Sequence, residues 1–234
     1  MALVSVIIPA FNEIGTIGKI LDRVVNADLP AGVRREIIIV DDFSTDGTRE
    51  YISGIGSDFS IVLHDRNMGK GAAVRTGLGL ASGDFVIVQD ADLEYNPEEY
   101  SKLLAPLLDN SADVVYGSRF LSGRKKAGTA WWHYAVNRFL TIISNIFTGL
   151  ALTDMETCYK VMSRKVVSEI GPGLVSNRFE IEPEITARIA AAGFRIKEVG
   201  ISYRYRPFSK GKKIGWKDGL SAVIAIISFS RSSR

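Results

Sequence analysis

The chain has 234 residues, 46% hydrophobic and 24% charged, with a formal net charge of +3 and a single cysteine, Cys158. That length makes one large domain or two small ones, and the composition excludes a disordered chain. One cysteine excludes an internal disulfide and fits a reducing compartment.

From Leu3 to Pro9 the residues are almost all apolar and β-branched, the pattern of a strand buried on both faces. Pro9, Asn12 and Glu13 break the apolar run and no basic flank precedes it, which argues against a signal peptide. Ile14, Ile17, Ile20, Leu21, Val24 and Val25 then recur at helical spacing. Glu36 to Val40 predicts a second buried strand, ending in Asp41-Asp42, with Ser44-Thr45-Asp46-Gly47-Thr48 capping the next helix. Phe59 to Leu63 predicts a third strand. Asn67-Met68-Gly69-Lys70-Gly71 is a glycine-rich turn into a helix over 72–81. Phe85 to Val88 predicts a strand that ends in Asp90, Asp92 and Glu94. A helix from Pro97 to about Leu108 and a strand from Asp113 to Tyr116 follow. This alternation predicts an α/β fold with a mainly parallel central sheet and helices on both faces. Such sheets bind ligands beyond the carboxyl ends of their strands, where Glu13, Asp41, Asp42, Gly69, Asp90 and Asp92 all fall.

After residue 118 the pattern changes, giving a first half over 1–118 and a second over 119–234. Residues 119–130 read as a basic loop, and Trp131 to Leu152 as a largely apolar helix opening with Trp131, Trp132 and Tyr134. Tyr159 to Met162 predicts a short strand, Glu182 to Ala192 a helix, and Arg195 to Tyr203 a last strand. Arg204 to Lys213 is a basic loop, and Trp216 to Phe229 an amphipathic C-terminal helix. The longest uncharged stretches, 139–153 and 219–230, have 15 and 12 residues, short of the ~20 that a spanning helix needs. Residues 195–234 hold ten Lys/Arg against two acids, a local +8 that leaves −5 for the rest of the +3 total. Basic clusters like these are either solvated faces or attractors of phosphate, nucleic acid or anionic lipid.

Three acids at alternate positions after a strand would point to one side of an extended segment and repel one another unless a cation joins them. Oxygen-only ligands suit Mg²⁺ or Mn²⁺ rather than zinc or copper. The competing reading is a solvated turn running into the helix start at Asn96-Pro97-Glu98-Glu99. A calcium loop of the EF-hand type is excluded, because its sixth and twelfth positions would be Tyr95 and Ser101. Gly69-Lys70-Gly71 belongs to neither a Walker A loop nor a dinucleotide fingerprint, leaving a tight turn or a ligand loop. A paired acid such as Asp41-Asp42 can accept hydrogen bonds from a ribose diol, and Phe11 can pack on a base.

Taken in order, Val6-Ile-Ile-Pro-Ala-Phe-Asn-Glu13, Ile39-Val-Asp-Asp42, Ser44-Thr-Asp-Gly47, Asn67-Met-Gly-Lys-Gly71, Asp90-Ala-Asp-Leu93, Gly117-Ser-Arg119, Asp154-Met-Glu-Thr-Cys-Tyr-Lys160 and Lys212-Lys-Ile-Gly215 resemble a family-2 glycosyltransferase. The likeness is to the GT-A-fold, polyprenyl-phosphate (dolichyl-phosphate mannose or glucose) synthase branch, and it covers nearly the whole chain. It implies that the first half holds the nucleotide sugar and metal, and the second half the acceptor, within one continuous catalytic domain. Pro9, Phe11, Glu13 and Asp42 would hold the nucleoside, with Lys70 near them. Asp90 and Asp92 would frame the diphosphate through Mg²⁺ or Mn²⁺, and Glu94 falls where mannose-type members tend to carry Gln as a third metal ligand. Arg119, Arg138, Arg206 and Lys213 would grip the donor diphosphate or the acceptor phosphate, and Asp154 and Lys160 fall with the substrate-binding set.

The implied chemistry is inverting transfer of a hexose from GDP-mannose or UDP-glucose to polyprenyl phosphate, with Asp92, Arg119 and Arg138 nearest the reaction. A phosphate nucleophile is already ionised near neutral pH and needs no base; a sugar hydroxyl would need one, for which Asp154 or Glu156 is the candidate. Trp131, Trp132 and Tyr134 suit an interfacial position, and Ala222, Ile226 and Phe229 form an apolar stripe that rests in a membrane surface or covers the sheet. The C-terminal transmembrane pair of many bacterial relatives is not found, so the expectation is a peripheral protein on the cytoplasmic membrane face, or one with a membrane-anchoring subunit. Competing readings are transfer to a sugar hydroxyl, a non-catalytic nucleic-acid binder and a haloacid-type phosphotransferase with Asp90 as nucleophile. Acidic strand ends repel a phosphate backbone, so no nucleic-acid partner is expected. The phosphotransferase would need its paired acids after the first strand, where Phe11-Asn12-Glu13 stand.

Overall fold

The computed structural model describes residues 1–121, 131–206 and 216–231. Its centre is a seven-stranded sheet built from β1 (Ala2–Ala10), β2 (Val33–Asp41), β3 (Ser60–Leu63), β4 (Phe85–Val88), β5 (Val114–Ser118), β6 (Lys160–Ser163) and β7 (Ile196–Gly200). The order is β3-β2-β1-β4-β6-β5-β7. Val4, Ser5, Val6, Ile7 and Ile8 of β1 are consecutive and all fully buried. Since neighbouring side chains of a strand point to opposite faces, both faces of the sheet are covered.

β1, β2, β3 and β4 pair in parallel, as the strand–helix alternation requires, and β5 pairs in parallel with β7. β6 is the exception, antiparallel to both β4 and β5. A strand of the second half, it lies between two strands of the first, so the change of composition at residue 118 is not a break in the sheet.

Among the described residues eight α-helices surround the sheet: α1 (Ile17–Asn26), α2 (Thr48–Gly54), α3 (Lys70–Leu80), α4 (Tyr100–Leu108), α5 (Trp131–Thr148), α6 (Arg164–Ile170), α7 (Ile181–Ala191) and α8 (Trp216–Arg231). α1 shows why such segments fold: Ile17, Ile20, Leu21 and Val24 line one buried stripe. α3 is pressed onto β1, with no room for a Cβ at Gly77 against the Ile7 side chain. Asn96 caps a 3₁₀ turn over Pro97–Glu99, accepting the Glu98 N–H at 3.3 Å, and this turn rather than an α-helix leads into α4.

Several expectations are corrected here. α5 stops at Thr148, because Gly149 takes the left-handed φ of 74° that ends a helix. β7 ends at Gly200, not Tyr203. α6 was not foreseen. In α8, Ala222 and Ile226 are 4% and 1% exposed, packed in the core beside α5 and α7. The stripe on α8 therefore covers the protein interior and does not face outward. Lys213 and the side chains of Trp131, Trp132 and Trp216 lie outside the described residues.

Candidate active site

The chain leaves β1 towards β2 and β3 on one side, then returns to β4 on the other side of β1. Loops therefore part in opposite directions at the carboxyl end of β1, which opens a crevice there. A cleft of about 420 Å³ occupies it, walled by Pro9, Ala10, Phe11, Glu13, Asp42, Asn67, Gly69, Lys70, Asp90, Asp92, Glu94, Arg178, Phe179 and Arg206 among others. This size suits a nucleotide-scale ligand. Of the residues singled out in the sequence, Pro9, Phe11, Glu13, Asp42, Lys70, Asp90, Asp92, Glu94 and Arg206 meet in this one cleft.

The turns that close β1, β2 and β4 each carry a non-glycine residue at positive φ: Asn12 at 50°, Phe43 at 67° and Leu93 at 64°. Backbone strain of this kind persists only where surrounding bonds hold it. The first two turns are laced together: Asn12 N–H donates to Ser44 Oγ at 2.9 Å, and Asn12 Oδ1 accepts Thr45 N–H at 2.8 Å. Glu13 N–H donates to Thr48 Oγ1 at 2.9 Å. In the third turn Asp92 Oδ1 accepts the Glu94 N–H at 3.0 Å.

That bond corrects the extended geometry expected for Asp90, Asp92 and Glu94. β4 ends at Val88, the chain curls at Leu93, and the three carboxylates diverge. Glu94 accepts Tyr203 O–H at 2.7 Å and Arg206 N–H at 2.6 Å, pinning the segment after β7. Asp90 meets Lys70 Nζ at 2.7 Å. Burial alone would raise the Asp90 pKa, but the charge and hydrogen bond of Lys70 hold it below the ordinary range. Burial, with Asp90 and Glu94 close by, pushes Asp92 up to about 7. Among the described residues no three His, Cys, Asp or Glu side chains gather to hold a metal without help from a ligand.

The other cleft acids are already engaged. Glu13 takes a two-pronged bond from the Arg206 guanidinium, 2.8 Å on each side. Asp42 accepts Met68 N–H at 2.8 Å and Gly69 N–H at 2.7 Å, and its Oδ1 lies 2.9 Å from His64 Nδ1. Asp42 thus shapes the glycine-rich turn. Nothing in the sequence pattern marks His64 as its partner, because the two are brought together only by the β2–β3 pairing.

Arg119, Arg138 and Asp154 form a neighbouring cluster and do not line the cleft. Arg119 grips the buried Asp154 through its backbone N–H at 2.9 Å and its guanidinium at 2.7 Å. Arg138 donates to Thr153 O at 3.0 Å. Lys160 is 1% exposed, bonded to Glu182 and to Thr157 O at 2.6 Å, away from the cleft surface. Glu182 also approaches Lys70 at 3.2 Å, so the cleft floor rests on a buried chain of alternating charges. Gln89, Arg178 and Phe179 were missed in the sequence. Gln89 accepts the hydroxyls of Tyr100 and Tyr159, each at 2.7 Å, and so fixes the start of the acidic turn; a buried amide after an apolar strand was the available signal.

A model of glycosyl transferase family 2 matches residues 5–171. The chain is a family 2 glycosyltransferase. Polyprenol monophosphomannose synthase of Mycolicibacterium smegmatis is 30% identical over 218 residues, covering 90% of this chain and 80% of that protein. Dolichol-phosphate mannosyltransferase of Pyrococcus furiosus is 34% identical over 145 residues, or 61% of this chain but only 40% of that protein. Glucosyl-3-phosphoglycerate synthase from Mycobacterium tuberculosis, in crystals with Mn²⁺, UDP and glucosyl-3-phosphoglycerate, superposes with a TM-score of 0.74 at 22% identity, covering 98% of this chain and 80% of that one. The fold of this family 2 member is accordingly GT-A.

Proposed function

We propose that this glycosyltransferase moves a hexose from a nucleotide sugar to a polyprenyl phosphate, with inversion and with a divalent metal. The observation that carries the acceptor class is how the carboxylates are held. Glu13, Asp42, Asp90 and Glu94 are each bound to a cation or to N–H and O–H donors, and Asp154 is locked by Arg119. None of these is poised to take a proton from a sugar hydroxyl, and Glu156, the other candidate base, does not line the cleft. A phosphate monoester, with its second pKa at ~6, arrives ionised and needs no base. Mycobacterial and archaeal relatives named for polyprenol and dolichol phosphate support the same reading.

In this reaction an acceptor phosphate oxygen bonds to the anomeric carbon from the face opposite the donor diphosphate. The bond from that carbon to the diphosphate breaks, and its electron pair leaves with the nucleoside diphosphate. The site fits Mg²⁺ or Mn²⁺: its donors are hard oxygens, and Asp92 Oδ2 has the Arg206 guanidinium no closer than 3.8 Å. Asp92, with Asp90 beside it, would hold the ion together with diphosphate oxygens, the usual way Mg²⁺ is shared between protein and phosphate. Bound there, the ion would neutralise charge that develops on the leaving diphosphate. Phe11 and Pro9 would wall the base, Lys70 would keep Asp90 ionised, and Arg206 would stand at the diphosphate.

The acceptor's lipid calls for a place at a membrane surface, and the reading includes a peripheral position on the cytoplasmic face. No described helix is long and apolar enough to cross a membrane. The test is a donor screen: GDP-mannose, UDP-glucose and UDP-N-acetylglucosamine with Mn²⁺, with and without polyprenyl phosphate in detergent, following nucleoside diphosphate release. Lipid-dependent release from one donor is expected. Release that ignores the lipid and rises with a soluble saccharide would move the acceptor to a hydroxyl.

A further inference from the structure

Arg178 and Phe179 reach the cleft from the segment between α6 and α7, far in sequence from every other wall residue except Arg206. That segment is anchored from both sides. Val175 N–H and Ser176 N–H donate to the buried Glu184 carboxylate at 3.0 and 2.8 Å. Arg75, on α3, donates to Leu174 O at 3.3 Å and to Asn177 Oδ1. Ala72 N–H donates to Asn177 O at 3.1 Å.

The glycine-rich turn is what lets this segment come so close. A Cβ on Gly71 would stand 2.5 Å from Ser176 O and 2.8 Å from Arg178 O. A Cβ on Gly69 would strike Asn177 O and lie 3.0 Å from Arg178 Cγ. The stem of Arg178 therefore lies over Gly69, whose N–H is held by Asp42, with Lys70 next along the wall. Gly69 and Gly71 serve to admit a neighbouring backbone and seat an arginine, which accounts for glycines in a turn that is no Walker loop.

We infer that Arg178 is a phosphate-binding residue of this cleft, seated there by the close packing of residues 176–178 on the Gly69–Gly71 turn. This rests on the glycosyltransferase reading. The cleft wall presents five carboxylates, Glu13, Asp42, Asp90, Asp92 and Glu94. Among the described residues the wall's cations are Lys70, which meets Asp90, Arg206, which meets Glu13, and Arg178. A nucleoside diphosphate adds further negative charge, so even with one divalent ion a third cation on the wall is needed for electrostatic complementarity. A guanidinium answers phosphate with paired N–H donors in a fixed plane, which a lysine does not reproduce. The phosphate is the donor's diphosphate or the acceptor's monophosphate, and binding separates them.

The experiment compares wild type with R178A, R178K and R75A by calorimetry in Mn²⁺, using UDP, GDP, uridine, guanosine and a short-chain polyprenyl phosphate in detergent. Arg178 is exposed, so its removal is expected to leave the fold intact, which an unchanged melting temperature checks. R178A is expected to weaken the phosphorylated ligand about 10- to 100-fold and leave the nucleosides unaffected, with R178K recovering part. R75A, which loosens the anchor without touching the cleft, is expected to lose less, and the double variant no more than R178A alone. Loss confined to UDP or GDP assigns the donor diphosphate, and loss confined to the lipid assigns the acceptor. Equal loss for nucleosides and diphosphates, or no loss for any phosphate, would overturn the inference. A wild type that binds neither nucleoside diphosphate nor lipid phosphate would instead remove the glycosyltransferase reading beneath it.

Discussion

At the scale of single residues, burial holds two carboxyls well above their ordinary range, Glu156 beside the cleft and Asp92 within it. Burial raises Glu156 to about 7, against Lys160 and with Glu182, and its Oε1 is buried without a hydrogen-bond partner among the described residues. Asp92 is raised to about 7 in the same way. A folded protein that keeps a proton which the unfolded chain releases near 4.5 takes up protons on folding across that interval. Its stability from this source is full below about 4.5 and declines as pH rises to about 7. One pKa unit is ~1.36 kcal/mol, so each group costs up to about 3–4 kcal/mol above pH 7. Glu156→Gln and Asp92→Asn in the ligand-free protein are therefore expected to melt several degrees above wild type at pH 8 and to converge on it as pH falls below 4.5 for Glu156 and below 3.8 for Asp92. Differential scanning fluorimetry across that range checks this, and an offset independent of pH would count against it. Asp92→Asn should also lose Mn²⁺-dependent nucleotide binding, which Glu156→Gln should keep; a stabilised but inactive Asp92→Asn is what a ligand-holding carboxylate predicts.

Among the elements, legibility followed the periodicity of the side chains. β1, β2 and β4 were readable because each contains a run of apolar residues, Val6 to Ile8, Ile37 to Val40 and Phe85 to Val88, and the acidic residues behind them were readable as strand ends. α6 was not, and although β6 was foreseen as a short strand, neither its antiparallel pairing nor the burial of Lys160 against Glu182 could be read, because both depend on partners remote in sequence. The direction of the acidic turn was also hidden, since it depends on Leu93 adopting positive φ and on Tyr203 and Arg206 holding Glu94. Nor does sequence show why Gly77 interrupts α3, where helix propensity alone favours alanine by ~1 kcal/mol. Packing decides it, because a methyl there meets the fully buried Ile7 of β1. Gly77→Ala is expected to destabilise by about 1–3 kcal/mol. Ile7→Ala leaves a void in the same place, so the double variant should cost clearly less than the two singles added, as urea unfolding would report. Strict additivity would show that α3 does not press on β1 at this point.

For the molecule as a whole, the proposed lipid acceptor raises the question of which face would meet a membrane. The stripe of α8 that holds Ala222 and Ile226 is turned inward, so the proposed contact is placed on α5. Leu140, Thr141 and Ser144 of α5 are buried towards the protein, while Phe139, Ile142 and Ile146 are 58%, 50% and 72% exposed. Their spacing puts them on one outer stripe, with Val136 a turn before. No acidic residue occurs from 119 to 153, while Arg119, Arg124, Lys125, Lys126 and Arg138 do. An apolar stripe without acids in a basic stretch of chain matches an anionic bilayer surface better than water. Phe139→Ser with Ile146→Ser removes exposed apolar area only and should leave folding and nucleotide binding unchanged. Co-sedimentation with vesicles containing anionic lipid should fall by about tenfold or more, as expected from losing two large apolar side chains. Turnover on polyprenyl phosphate in vesicles should fall with it, while turnover on a short-chain, detergent-dispersed acceptor stays near wild type. If both acceptors are used as well as before and vesicle binding persists, the lipid face lies elsewhere on the molecule.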